Sequence, residues 1–124
     1  MKVRGVKGPL GSVLTGTVVL FLLYAFWGYS HFEAVCVFNR WIDTQVSSKY
    51  SEENFDKIQP GMQAQETINL LGNPLWKQPK PDSTEEWNFT MDGKCSWGDF
   101  AWMGRTVWVS NGVVFAKEKR IYYD

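Results

Sequence analysis

The spacing of hydrophobic positions changes along the chain, and each spacing predicts a different element. From Gly8 to Phe32 the run GPLGSVLTGTVVLFLLYAFWGYSHF holds no Asp, Glu, Lys or Arg. It is apolar all round and long enough to cross a bilayer, so it predicts a transmembrane helix over residues 8–32. Val35, Phe38 and Ile42 keep helical spacing, which carries the helix on as a stem toward Val46 before Ser47-Ser48-Lys49 breaks it. Ser51 then suits an N-cap, with Glu52 and Glu53 in the first turn and Phe55 and Ile58 as the buried stripe. Pro60-Gly61 marks a corner. A second short helix over residues 63–71 places Ala64, Ile68 and Leu71 on one face, and Gly72 and Pro74 end it.

Beyond the polar connector KQPKPDST the period becomes two. Trp87, Phe89 and Met91 alternate with Glu86, Asn88 and Thr90, as in a half-buried strand. A loop, DGKCSWGD, leads into a run from Phe100 to Ser110, and Asn111-Gly112 predicts a two-residue hairpin turn. Pairing Ser110 with Val113 sets Trp108 opposite Phe115, Trp102 opposite Ile121, Phe100 opposite Tyr123 and Arg105 opposite Glu118. One face then carries the aromatic pairs and buries against the helices. The other carries Val107, Val109, Val114 and Ala116 and stays open as a docking surface. The expected fold is α+β: an N-terminal transmembrane helix, then two short helices packed on a three-stranded antiparallel sheet.

Charge gives the chain a direction. Lys2, Arg4 and Lys7 lie before the apolar run, whereas the remainder holds ten basic and thirteen acidic residues, a net of −3. Basic residues stay in the cytoplasm, so the expected topology is a cytoplasmic N-terminus over residues 1–7, an anchor over 8–32, a stem over 33–50 and an external domain over 51–124. Tyr24, Trp27, Tyr29 and Phe32 suit the far interface. The exit Gly28-Tyr29-Ser30-His31-Phe32-Glu33-Ala34 lacks the small-x-small pair of a signal cleavage site, which favours an uncleaved anchor. Overall the charges balance, which gives no ground for attraction to nucleic acid.

The stretch IQPGMQAQETINLLGNP followed by a strand meander resembles the SmpA/OmlA, or BamE-like, family of small bacterial envelope proteins. The residues that carry the resemblance are Ile58, Gly61, Met62, Leu71, Gly72 and Pro74, and it covers about residues 51–124. It implies a BamE-like, β-lactamase-inhibitor-like domain working in the cell envelope. Well-known members of the family are outer-membrane lipoproteins. This chain has a transmembrane anchor instead of a lipobox, which implies the bacterial inner membrane with the domain in the periplasm.

Catalytic chemistry is not recommended by the residues. His31 is the sole histidine, and no nucleophile elbow, phosphate loop or dinucleotide motif occurs. No enzyme, cofactor, metal or small-molecule substrate is expected. Cys36 and Cys95 both follow the anchor, so a disulfide between them is permitted in an oxidising compartment, with two free thiols as the alternative. Trp76 and Trp97 stand in or beside loops, where aromatic residues serve as interface anchors. The expectation is a membrane-anchored protein-binding or scaffold module. Its contacts are Trp76, Trp97, Val107, Val109 and Val114, and its partners are other envelope or inner-membrane proteins. The alternatives are an accessory single-pass subunit of an inner-membrane complex and an inhibitor of an envelope enzyme.

Overall fold

The computed structural model describes residues 9–31, 33–93 and 95–123 of the 124. Lys2, Arg4, Lys7, Phe32 and Lys94 lie outside the described residues, as do the side chains of Tyr29 and His31. The chain divides into two units, one ending at Glu33 and one beginning at Ala34.

The first unit is a helix, α1 (Pro9–His31), of 23 residues. At 1.5 Å per residue it is about 34 Å long, enough for the hydrocarbon layer. Thr15 and Thr17 donate their hydroxyls back to the Gly11 and Val13 carbonyls at 2.9 Å, so both polar side chains are satisfied within the helix. Pro9–Gly28 has the length and composition of a membrane span, which suits an anchor or a signal sequence.

The second unit is α+β and begins earlier than the pattern indicated. The stem helix over residues 33–50 is absent. Turns and a strand, β1 (Thr44–Val46), take its place, with Cys36, Asp43 and Ser47 buried. Asn39 is one reason: its side-chain oxygen accepts the Trp41 N–H at 3.0 Å, a local turn that competes with the helix. Ser47 is another. Its N–H reaches the Phe89 carbonyl at 2.9 Å and its hydroxyl the Leu71 carbonyl at 2.7 Å, tying the segment to the domain.

The two short helices form where their caps place them. In α2 (Glu52–Lys57) the Ser51 hydroxyl accepts the Asn54 N–H at 3.0 Å. In α3 (Ala64–Leu71) the Glu66 carboxylate reaches back to the Gln63 N–H at 3.2 Å. Gly72 closes α3 at φ 79°, and a Cβ there would stand 2.4 Å from the Ser48 Oγ, so only glycine fits. The Pro-Gly corner between the helices has a second duty. Gly61 N–H bonds the Val114 carbonyl at 2.8 Å and Val114 N–H bonds the Met62 carbonyl at 2.9 Å, which pins the corner to the hairpin.

Two antiparallel sheets replace the expected single sheet of three strands. The larger has the order β2 (Trp76–Pro79), β3 (Thr84–Asn88), β5 (Trp102–Ser110), β6 (Val113–Tyr122); the smaller pairs β1 with β4 (Thr90–Asp92). Part of the polar connector is therefore strand. Pro79 is tolerated because β2 is an edge. Asp82 holds the β2–β3 turn by accepting the Thr84 N–H and hydroxyl at 3.1 and 2.6 Å. At Phe89 the chain passes from one sheet to the other and the alternation breaks: Phe89 and Thr90 are both buried, and Met91 is exposed.

The β5–β6 hairpin starts as the Asn-Gly turn requires, with Ser110 opposite Val113 and Val109 opposite Val114. A bulge follows. Trp108 pairs with Ala116, Trp102 with Tyr122 and Arg105 with Lys119, leaving Phe115 as the extra residue, 47% exposed. The expected pairs Trp108–Phe115, Trp102–Ile121 and Arg105–Glu118 are each displaced, and Phe100 and Tyr123 lie outside the paired strands. The buried face is also the opposite one. Val107, Val109 and Val114 join Phe55, Ile58, Leu71, Trp87 and Phe89 in the core, at 0–3% exposure for the valines. These three residues are therefore not docking contacts. Both faces of β5 are apolar, and the slim valines form the one on which the helices pack.

Candidate interaction surface

With α2 and α3 packed on the valine face, the other face of the large sheet carries Trp76 from β2, Glu86 and Asn88 from β3, Trp102 and Trp108 from β5, and Tyr122 from β6. At one end a cleft of about 260 Å³ opens between Trp76, Met91, Trp102 and Tyr122, with Asn88 and Asp92 also on its walls. Trp76 is 49% exposed and Met91 39%. Trp102 and Tyr122 stack with ring centroids 4.4 Å apart and planes at 23°. Gly104 makes room for that stack, because a Cβ there would lie 2.2 Å from the Tyr122 ring.

A polar band crosses the sheet beside the aromatic cleft. The Thr106 hydroxyl donates to Asn88 at 2.7 Å, Asn88 donates to Glu86 at 3.2 Å, and Lys80 pairs with Glu86 at 2.8 Å. The Lys80 ammonium beside Glu86, with help from Asn88, holds its carboxyl below the usual carboxylate range. These groups satisfy one another, so the band presents a fixed surface and offers no free acid or base.

A second polar cluster lies on the buried side and was not legible as a site. Arg105, assigned by the simple register to Glu118, instead forks onto Glu52 of α2 at 2.9 and 2.5 Å. The Tyr50 hydroxyl also donates to Glu52, and the Trp41 ring lies 5.0 Å from the guanidinium. The hydrogen bonds from Arg105 pull the Glu52 carboxyl down to about 2, while burial and the adjacent Glu52 push the Tyr50 hydroxyl up. No nucleophile stands in this cluster. Its geometry clamps α2 to β5.

Trp97 is 59% exposed and packs edge-on against Phe100 at 4.8 Å. Its loop is held by Asp43, whose carboxylate accepts the Cys95 and Phe100 N–H groups, each at 2.9 Å. The sequence offered no sign of this role, because Asp43 sits in the segment read as stem. Cys36 is buried and Cys95 half-buried, and both stand as free thiols in this structure. Among the described residues no three His, Cys, Asp or Glu side chains are grouped to hold a metal ion. No protein-family model, curated protein or solved structure matches the chain, and the resemblance to the SmpA/OmlA proteins rests on its short motif alone.

Proposed function

We propose that this chain is a membrane-anchored envelope protein whose folded unit is a protein-binding module. It docks a partner through the cleft framed by Trp76, Met91 and the Trp102–Tyr122 stack. The observation that carries this reading is the exposure of Trp76 and Met91 beside the half-buried Trp102–Tyr122 stack around a concave surface, next to a polar band already paired. The three basic residues before α1 favour a cytoplasmic N-terminus, and the missing cleavage pattern favours a retained anchor in the inner membrane. The partner is another envelope or inner-membrane protein with an apolar side chain that fills the cleft.

The test is purification of the tagged full-length protein in mild detergent beside Trp76→Ala and a chain whose α1 is replaced by an unrelated anchor. A partner kept by the anchor swap and lost with Trp76→Ala, the fold being intact, supports the reading. A partner lost only on anchor replacement makes the protein an accessory subunit held through α1. A partner indifferent to both changes refutes the cleft as its site.

A further inference from the structure

Two apolar side chains of the second unit are more exposed than any others there among the described residues: Val37 at 80% and Phe38 at 93%. A phenylalanine so fully in water is costly unless something apolar receives it. The frame beneath the pair is ordered on both sides. Before it, the Ala34 carbonyl accepts the Ala101 N–H at 3.2 Å and Cys36 is 1% exposed. After it, the Asn39 side chain accepts the Trp41 N–H, the Asn39 carbonyl accepts the Ile42 N–H at 3.2 Å, and Asp43 is buried. The tip is thus presented on a folded base, with Arg40 exposed beside it.

Its place in the chain selects the occupant. Phe38 stands seven residues beyond His31, the last residue of α1. At no more than about 3.5 Å per residue, it lies within about 25 Å of the helix end. A helix that spans the hydrocarbon layer ends at the headgroups, so the tip is within covalent reach of the lipid–water boundary. That boundary accepts aromatic rings, and an adjacent arginine suits lipid phosphates. We infer that Val37 and Phe38 form a wedge inserted into the interface of the bilayer spanned by α1, with Arg40 at the headgroups. The inference rests on the reading of α1 as a retained membrane span. It adds a second lipid contact, through the folded unit itself.

The experiment uses the full-length chain in phosphatidylcholine–phosphatidylglycerol liposomes, with photoreactive benzoylphenylalanine in place of Phe38. Carbonate extraction is run on the same liposomes. At so exposed a position the probe leaves the fold intact, which circular dichroism checks. After irradiation, mass spectrometry is expected to find acyl-chain adducts at position 38. Adducts to protein alone, or none, while α1 resists carbonate extraction, overturn the wedge and leave the membrane span standing. Release of the chain by carbonate refutes the span, and the wedge falls with it on that separate ground.

Discussion

Asp43→Ala is the sharpest test of how the Trp97 loop is built. Asp43 is 1% exposed, and its two carboxylate oxygens accept the N–H groups of Cys95 and Phe100, which lie 52 and 57 residues away in the chain. Hydrogen bonds to a charged acceptor contribute about 1.5–3 kcal/mol each, and a buried N–H left unpaired costs a similar amount. Water entering the vacated space recovers part of this, so the expected net loss is about 3–5 kcal/mol. For a unit of this size each kcal/mol moves Tm by about 4–8 °C. Asp43→Asn keeps the shape and one acceptor but turns an amide donor toward a second donor, for an expected loss of about 2–4 kcal/mol. The assay is chemical denaturation of the full-length protein in detergent, with hydrogen exchange at the Cys95 and Phe100 amides. Stability within 1 kcal/mol of the parent for Asp43→Ala, with both amides still protected, would show that the carboxylate does not hold the loop.

Thr67 is fully buried and its hydroxyl has no partner among the described residues, so Thr67→Val is expected to stabilise by about 1–2 kcal/mol in the same denaturation assay. Phe115→Ser reports on the register: as the bulged, exposed residue it should change stability by no more than about 0.5 kcal/mol, whereas a Phe115 paired beneath the helices would cost about 3 kcal/mol. Gly72→Ala should destabilise by about 2 kcal/mol, since it forces a side chain to φ 79° and against Ser48. The Glu52 carboxyl is depressed from 4.5 to about 2 in the fold, so its contribution is present above pH 4.5 and is lost as pH falls toward 2. Stability measured across that window should therefore fall less steeply in Glu52→Gln, and an unchanged slope would separate Glu52 from acid unfolding.

Local rules were legible without the structure, because each depends on residues within one turn of one another. The charge-free run predicts α1, Ser51 caps α2, Gly72 and Pro74 stop α3, and Asn111-Gly112 fixes the first two rungs of the hairpin. Trp76 and Trp97 are exposed, as their neighbours suggested. Tertiary structure decided what no window could contain. One bulge at Phe115 slips the register by one position, and in a lattice of period two that exchanges the faces of everything beyond it. Two apolar faces competed for the helices, and packing selected the valines, which moved the candidate surface from Val107, Val109 and Val114 to the side bearing Trp76, Trp102 and Tyr122. The partners of Arg105 and Asp43 lie more than 50 residues away, and residues 34–50 became part of the domain through hydrogen bonds with β4, Leu71, Phe89, Cys95, Phe100 and Ala101. Sequence determined where the chain turns and what it buries locally; the choice of face, register and distant partner came from the whole fold, where long-range contacts outweigh the pattern.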